Sequence, residues 1–316
     1  SAKLSQLHNK MGSFKFLDPA CGCGNFLVIA YRELRLLELE ILKILTAKSK
    51  IDVTGGAQIK IDLLLKLNVD QFYGIEILEW PARIAEVAMW LMDHQMNLEV
   101  GLQLGEPPLR MPLKKSPHII KDNALRINWE DIISKDSLNF IFGNPPFIAK
   151  KNRNGDQNKD QDIVCVEIEN RGLLDYVANW YVKTAKYIQN TSIKCALVST
   201  NSITQGEQVG VLWNYILHRK NIKIFFAHRT FEWQNEASGQ AAVYCVIIGF
   251  YHESFFINHS IKLPSKKIYD YAEVKGEPVE VKASNINPYL IDFDDVLLLS
   301  RRNPINDVPH IAFGSM

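Results

Sequence analysis

From Phe14 to Ala227 the chain repeats one pattern: a short apolar run, a polar or glycine-rich break, then apolar residues at helical spacing. The runs Phe14–Leu17, Gln71–Ile77, His118–Ile120, Leu138–Phe142, Cys195–Ser199 and Ile222–Ala227 read as strands. Between them the spacing predicts helices over Asn25–Ala47, Trp80–Asn97, Leu173–Ile188 and Glu207–His218, with a shorter one near Ile61–Leu67. Strands that alternate with helices form a mostly parallel sheet covered on both faces. A last apolar run, Ala241–Phe250, has no helix before it and is expected antiparallel to its neighbour. The expected fold is therefore α/β and doubly wound: a mostly parallel seven-stranded sheet with one antiparallel strand and helices on both faces.

In such sheets a ligand lies outside the carboxyl ends of the strands, near the point where strand order reverses. Asp18, Glu76, Asp122 and Asn144 each stand at the end of a predicted strand, so four polar groups converge on one rim. The first turn reads Asp18-Pro19-Ala20-Cys21-Gly22-Cys23-Gly24-Asn25-Phe26. Its glycines permit positive φ and close approach to a ligand, and the helix that follows offers N–H groups to negative charge. It lacks the Gly-Lys-Ser/Thr ending of a P-loop and the spacing of a dinucleotide fingerprint, and strand-to-helix turns often need glycine anyway. Glu76 is placed to accept from two ribose hydroxyls, or is a plain surface carboxylate. Asp122-Asn123 suits an adenine amino group and ring nitrogen, or an Asx turn or helix cap. Taken together they describe a pocket for a nucleoside with a charged tail.

The fourth strand ends in Asn144-Pro145-Pro146-Phe147. Asp18–Phe26 resembles the cofactor motif, and Asn144–Phe147 the catalytic motif, of S-adenosylmethionine-dependent DNA methyltransferases that modify exocyclic amino groups. The likeness spans roughly residues 10–250. It is closest to the methyltransferase regions of large bacterial restriction–modification polypeptides that carry nuclease and methylase in one chain. Leu174–Tyr181, Val198–Val209 and Phe231–Val243 look like segments of those proteins and are expected beside the nucleic-acid cleft.

The resemblance implies a class I methyltransferase fold, Rossmann-like. It also implies S-adenosylmethionine as co-substrate, held by Asp18, Ala20, Gly22, Gly24, Asn25, Phe26, Glu76, Ile77, Asp122, Asn123 and Ala124. Catalysis falls to Asn144, Pro145, Pro146 and Phe147, with no metal. The partner is double-stranded DNA with a flipped target base, in a bacterial cytoplasm. An adenine N6 amine is a poor nucleophile because its lone pair is delocalised into the ring. Hydrogen bonds from its NH2 to the Asn144 oxygen and the Pro145 carbonyl favour a pyramidal nitrogen, and proline stiffens the turn that aims them. Phe147 supplies a stacking face, worth about 1–3 kcal/mol per base in single-strand systems. A base in a duplex must first be flipped out, at a cost of a few kcal/mol. The methylated amine loses its proton easily, so orientation and preorganised dipoles can carry the reaction without a strong base. Cytosine N4, RNA bases and, with tyrosine in the last place, a protein glutamine amide present the same planar NH2 group. Phenylalanine at position 147 favours adenine by resemblance.

With 316 residues, 47% of them hydrophobic, the chain can bury a large core in one or two domains. No apolar run approaches the length of a membrane span, and residues 1–20 do not show the charged and apolar blocks expected of a signal peptide. The net charge of +1 announces no global field for nucleic acid; basic residues cluster only locally, at Lys114-Lys115, Lys150-Lys151-Arg153, His218-Arg219-Lys220 and Arg301-Arg302. Five cysteines, an odd number, argue for reduced thiols, and Cys21 and Cys23 lack a second pair at zinc spacing. Residues 1–252 are read as the methyltransferase domain. Residues 253–316, punctuated by Pro264, Pro278, Pro288 and Pro304, are read as an extended segment leading toward a target-recognition domain, and in some relatives a nuclease, absent from this chain. Ser1-Ala2 before a polar stretch suggests a piece of something longer. Nothing before Phe14 resembles the upstream cofactor-contacting segment of family members, which predicts weakened cofactor affinity. Ala149–Asp162 is expected to be a mobile polar loop, able to close over DNA or simply irregular.

Overall fold

The computed structural model describes residues 2–49, 64–104, 115–233 and 243–299. α1 (Ala2–Met11) leads into β1 (Phe16–Asp18), α2 (Asn25–Ser49), β2 (Phe72–Glu76), α3 (Glu79–Leu104), β3 (His118–Lys121) and β4 (Phe140–Gly143). α4 (Gly155–Val164), α5 (Ala178–Tyr187), β5 (Lys194–Thr200), α6 (Glu207–Trp213) and β6 (Ile222–Trp233) follow. The described chain ends with β7 (Val243–His252), α7 (Glu253–Asn258), β8 (Lys266–Asp270) and β9 (Val279–Ala283).

The strands form one sheet in the order β3-β2-β1-β4-β5-β7-β6-β8-β9. β3, β2, β1, β4 and β5 are mutually parallel, each joined to the next in sequence by a crossover connection. β7 lies between β5 and β6 and runs antiparallel to both, as the missing helix implied. The expectation of seven strands with one antiparallel is corrected: among the described residues the sheet has nine strands. β8 joins β6 in parallel and β9 joins β8 antiparallel, so a second strand runs against the majority. Both added strands are short, charged and at the sheet edge. Of their residues only Ile268 is buried, so the alternation that marks a strand is nearly absent from them.

Period-two alternation sorts the core into two layers. The rings of Phe72, Phe16 and Phe140 stack across β2, β1 and β4 with centroids 4.7 and 5.3 Å apart. Phe16 and Phe72 pack with Leu27 and Tyr31 of α2 and Ala85 and Met89 of α3. The alternate residues Leu17, Tyr73 and Ile141 join the opposite layer, with Trp180 and Tyr181 of α5 and Leu212 and Trp213 of α6. A buried ion network locks α2 to α3: Arg35 reaches Glu38 at 3.4 Å and Asp93 at 3.0 Å.

Two expected elements differ. The helix predicted over Leu173–Ile188 begins at Ala178, because the N–H groups of Asp175 and Tyr176 bond to Gln208 and Ile148 instead of along a helix. The polar run Ala149–Asp162 is not an open loop. It forms a 3-10 turn at Lys150–Asn152 and then α4, opened by a capping box of Asn154 with Gln157. Of the helix predicted near Ile61–Leu67, residues 61–63 lie outside the described residues and Leu65–Leu67 are not helical; most of the Phe231–Val243 link and Arg301-Arg302 also lie outside the described residues. Among the described residues no helix is long and apolar enough to cross a membrane.

Candidate active site

Sheet order places the carboxyl ends of β3, β2, β1 and β4 side by side, and strand order reverses between β1 and β4. Asp18 ends β1, Glu76 ends β2, Asp122 follows β3 and Asn144 follows β4. The predicted rim is therefore real, and the two motifs meet at its switch point.

Asp18 is 1% exposed, and its Oδ1 accepts from the Ala20 N–H at 3.0 Å. Burial pushes its carboxyl up from 3.8 to about 7, and the negative charge of Glu76 adds to the rise. The turn after it needs glycine at two places. Gly22 and Gly24 hold φ of +53° and +85°, and a Cβ on Gly24 would stand 2.9 Å from the Cβ of Ala85 in α3. A Cβ on Gly22 would meet nothing within 4 Å, so the turn is open on that side. The Gly22 N–H donates to Glu76 Oε2 at 3.0 Å, and the Leu78 N–H donates to Oε1 at 2.9 Å. Glu76 thus binds the glycine turn to the end of β2. Beside it Ile77 is 57% exposed, an unusual position for an apolar side chain at the end of a core strand. Asn25 is exposed at the start of α2, and Phe26 is half-buried.

The three residues after β3 fare differently. Asp122 is exposed and accepts from the Asn123 N–H at 2.6 Å. The side chain of Asn123 is engaged at both ends: its Oδ1 accepts from the Leu125 N–H at 2.9 Å, and its Nδ2 donates to Asp160 at 3.2 Å. Ala124 is buried, and its carbonyl accepts from the Trp129 indole N–H at 2.8 Å.

At β4 the side-chain oxygen of Asn144 is buried and, among the described residues, accepts no hydrogen bond. A buried acceptor left unpaired costs stability, and native proteins seldom leave one without a purpose. Pro145 is buried, Pro146 is exposed, and Phe147 is half-buried against the larger core layer. Directly after it, the Ile148 carbonyl accepts from the Tyr176 N–H at 2.9 Å, and the Lys150 N–H donates to Asp175 at 2.8 Å. A cavity of about 490 Å³ opens here, lined in part by Lys150, Lys151, Asp175, Ser202, Gln205 and Gln208. Two of the three segments expected beside the cleft, Leu174–Tyr181 and Val198–Val209, meet in this wall.

Sequence reasoning missed Asp160. It is 2% exposed and accepts from Asn123, from Arg126 Nε at 2.6 Å and from the Tyr176 hydroxyl at 2.6 Å. The Asn154-x-x-Gln157 capping signature was the one clue that a helix would carry it inward. Among the described residues no group of three or more His, Cys, Asp or Glu side chains is placed to hold a metal ion.

The sequence model of the family described as MmeI, DNA-methyltransferase domain, matches residues 1–263. DNA methyltransferase A of Bacillus subtilis (strain 168) is 35% identical over 323 residues, covering 99% of this chain and 33% of that protein. The solved structure of the Type IIL restriction-modification enzyme MmeI in complex with DNA superposes with a TM-score of 0.88 at 50% identity, over 98% of this chain and 39% of that one. The type IIG restriction endonuclease BpuSI superposes at a TM-score of 0.53 and 11% identity, over 86% of this chain and 26% of that one, a likeness of fold alone. The chain thus spans about a third of the Bacillus relative and two-fifths of the MmeI chain.

Proposed function

Because the chain belongs to the MmeI DNA-methyltransferase domain family, we propose that it is the catalytic domain of a DNA methyltransferase acting on the N6 amino group of a flipped adenine. The observation that carries this reading is the buried, unpaired side-chain oxygen of Asn144 at the switch point of the sheet. An exocyclic NH2 group is the donor it lacks. Bonding one proton there and another to the Pro145 carbonyl draws the lone pair out of conjugation and aims it across the rim. Phe147, set between a stiff Pro-Pro turn and an anchored chain, offers the base an aromatic face.

The rim fits S-adenosylmethionine. The open side of Gly22, the carboxylates of Asp18, Glu76 and Asp122 and the exposed apolar face of Ile77 suit a ligand with a cationic tail, a ribose and an adenine ring. Ala20, Gly24, Asn25, Phe26, Asn123 and Ala124 complete the expected contacts, Asn123 and Ala124 through their backbone. When bound, the co-substrate supplies an electrophilic methyl group. The buried dipoles around Asn144 orient the amine and exclude water.

The proposal extends to the whole protein: a bacterial cytoplasmic restriction–modification enzyme whose partner is double-stranded DNA. Residues 1–252 supply methyl transfer, and the chain from residue 253 leads toward a recognition domain. The MmeI relative, solved in complex with DNA, supports this partner. The test incubates the full-length protein with methyl-labelled S-adenosylmethionine and DNA, RNA or protein, then analyses the DNA nucleosides by mass spectrometry. N6-methyladenine is the expected product. N4-methylcytosine would correct the target base, and label confined to RNA or protein would overturn the reading.

A further inference from the structure

We infer that Asp175 is a positioning residue of this active site: its carboxylate clamps the chain leaving the Asn144–Phe147 turn and so holds the Phe147 ring in place for the target base. The inference rests on the methyl-transfer reading. Asp175 is 8% exposed, and its carboxylate accepts from three separate segments: the Lys150 N–H at 2.8 Å, the Ser202 hydroxyl at 2.7 Å and Gln208 Nε2 at 2.9 Å. Gln208 also accepts from the Asp175 N–H at 2.8 Å, so the two residues grip each other twice. Phe147 is thereby fixed from both sides. Pro145-Pro146 restrict the chain before it, and the anchors at Ile148 and Lys150 hold the chain after it.

An apolar residue could fill this space, but only a carboxylate can satisfy three donors arriving from different directions. Such a satisfied polar cluster specifies one loop geometry where plain packing would tolerate several. The neighbouring residue faces the other half of the site. The Tyr176 hydroxyl donates to Asp160 at 2.6 Å, and Asp160 holds the side chain of Asn123 on the cofactor rim. One dipeptide therefore braces the base side through Asp175 and the cofactor side through Tyr176, and the two braces can be separated by experiment.

Asp175→Asn keeps the shape but turns an N–H donor toward at least one of the existing donors. In the full-length enzyme kcat is expected to fall about 100-fold, the penalty of a misplacement near 1 Å, while the KM for S-adenosylmethionine stays within a few-fold. The rise in fluorescence of a 2-aminopurine placed at the target position should shrink in parallel. Tyr176→Phe should show the opposite split, raising that KM more than it lowers kcat. If Asp175→Asn melts far below the wild type, Gln208→Ala carries the test, with a smaller fall in kcat at unchanged cofactor KM. Wild-type kcat in either Asp175→Asn or Gln208→Ala would overturn the inference. So would a proportional loss of kcat, cofactor affinity and melting temperature, the signature of a merely structural residue. A wild-type protein that methylates no DNA overturns the functional reading and this inference with it.

Discussion

The carboxylate of Asp18 lies against the backbone of Gly143: a Cβ placed on residue 143 would stand 2.5 Å from Asp18 Oδ1. These two residues end adjacent parallel strands; Asp18 opens the first motif and Gly143 immediately precedes the second. Their contact is the physical seam between the proposed cofactor turn and the proposed catalytic turn. Gly143→Ala forces one of them to move in a packed interior, where overpacking costs about 1–3 kcal/mol. The variant should melt at lower temperature and lose both cofactor affinity and kcat, measured by calorimetry and by methyl transfer. Wild-type values for all three would show that the seam yields without consequence.

Asn144→Ala removes the unpaired acceptor without touching the glycine turn. Methyl transfer should drop by at least about 100-fold, the scale seen when one preorganised polar group is removed from a reacting centre. Cofactor binding should remain within a few-fold, and stability should hold or improve, because a buried unsatisfied oxygen is gone. Substantial remaining activity would remove Asn144 from its assigned role.

Glu76→Ala cuts the bonds from the Gly22 and Leu78 N–H groups and removes the acceptors proposed for a ribose. Charged hydrogen bonds of this kind are worth about 1.5–3 kcal/mol, so affinity for S-adenosylmethionine should weaken at least tenfold. Titration calorimetry reads this directly. Unchanged affinity would take Glu76 out of the pocket.

Asp18 should make the stability of the cofactor-free protein depend on pH. Its folded-state carboxyl titrates at about 7, above the ordinary value of 3.8. Between those values the folded protein binds more protons than the unfolded chain, so this group's contribution declines as pH rises through that window. Asp18→Asn abolishes the slope and keeps an acceptor for the Ala20 N–H. Thermal melts should match the wild type only below about pH 4, already exceed it at about pH 5 and exceed it most at about pH 8. The same variant should bind the cationic co-substrate less tightly. Parallel melting curves across that range would mean that Asp18 carries no burial penalty.

Much of this molecule is written in neighbouring residues. The strand and helix order follows from periods of two and about 3.6, which any short window displays, and so does the placement of Asp18, Glu76, Asp122 and Asn144 on one rim. Gly22 and Gly24 were legible because a turn that needs positive φ accepts few other residues. The contacts that brace the site are of another kind. Asp160 meets Asn123 across 37 positions, and Asp175 meets Gln208 across 33. Neither pairing has a local signature, because it depends on how α4 and α6 dock on the finished sheet. The two edge strands were likewise invisible: with one buried residue between them, they are held by backbone bonds to β6 and to each other, which side-chain patterning does not encode. Sequence alone therefore determined the sheet's frame and which polar groups stand on its rim, since both reside in local patterning. Only the tertiary structure decided how that chemistry is held rigid, since hydrogen bonds between distant segments exist only after packing brings them together.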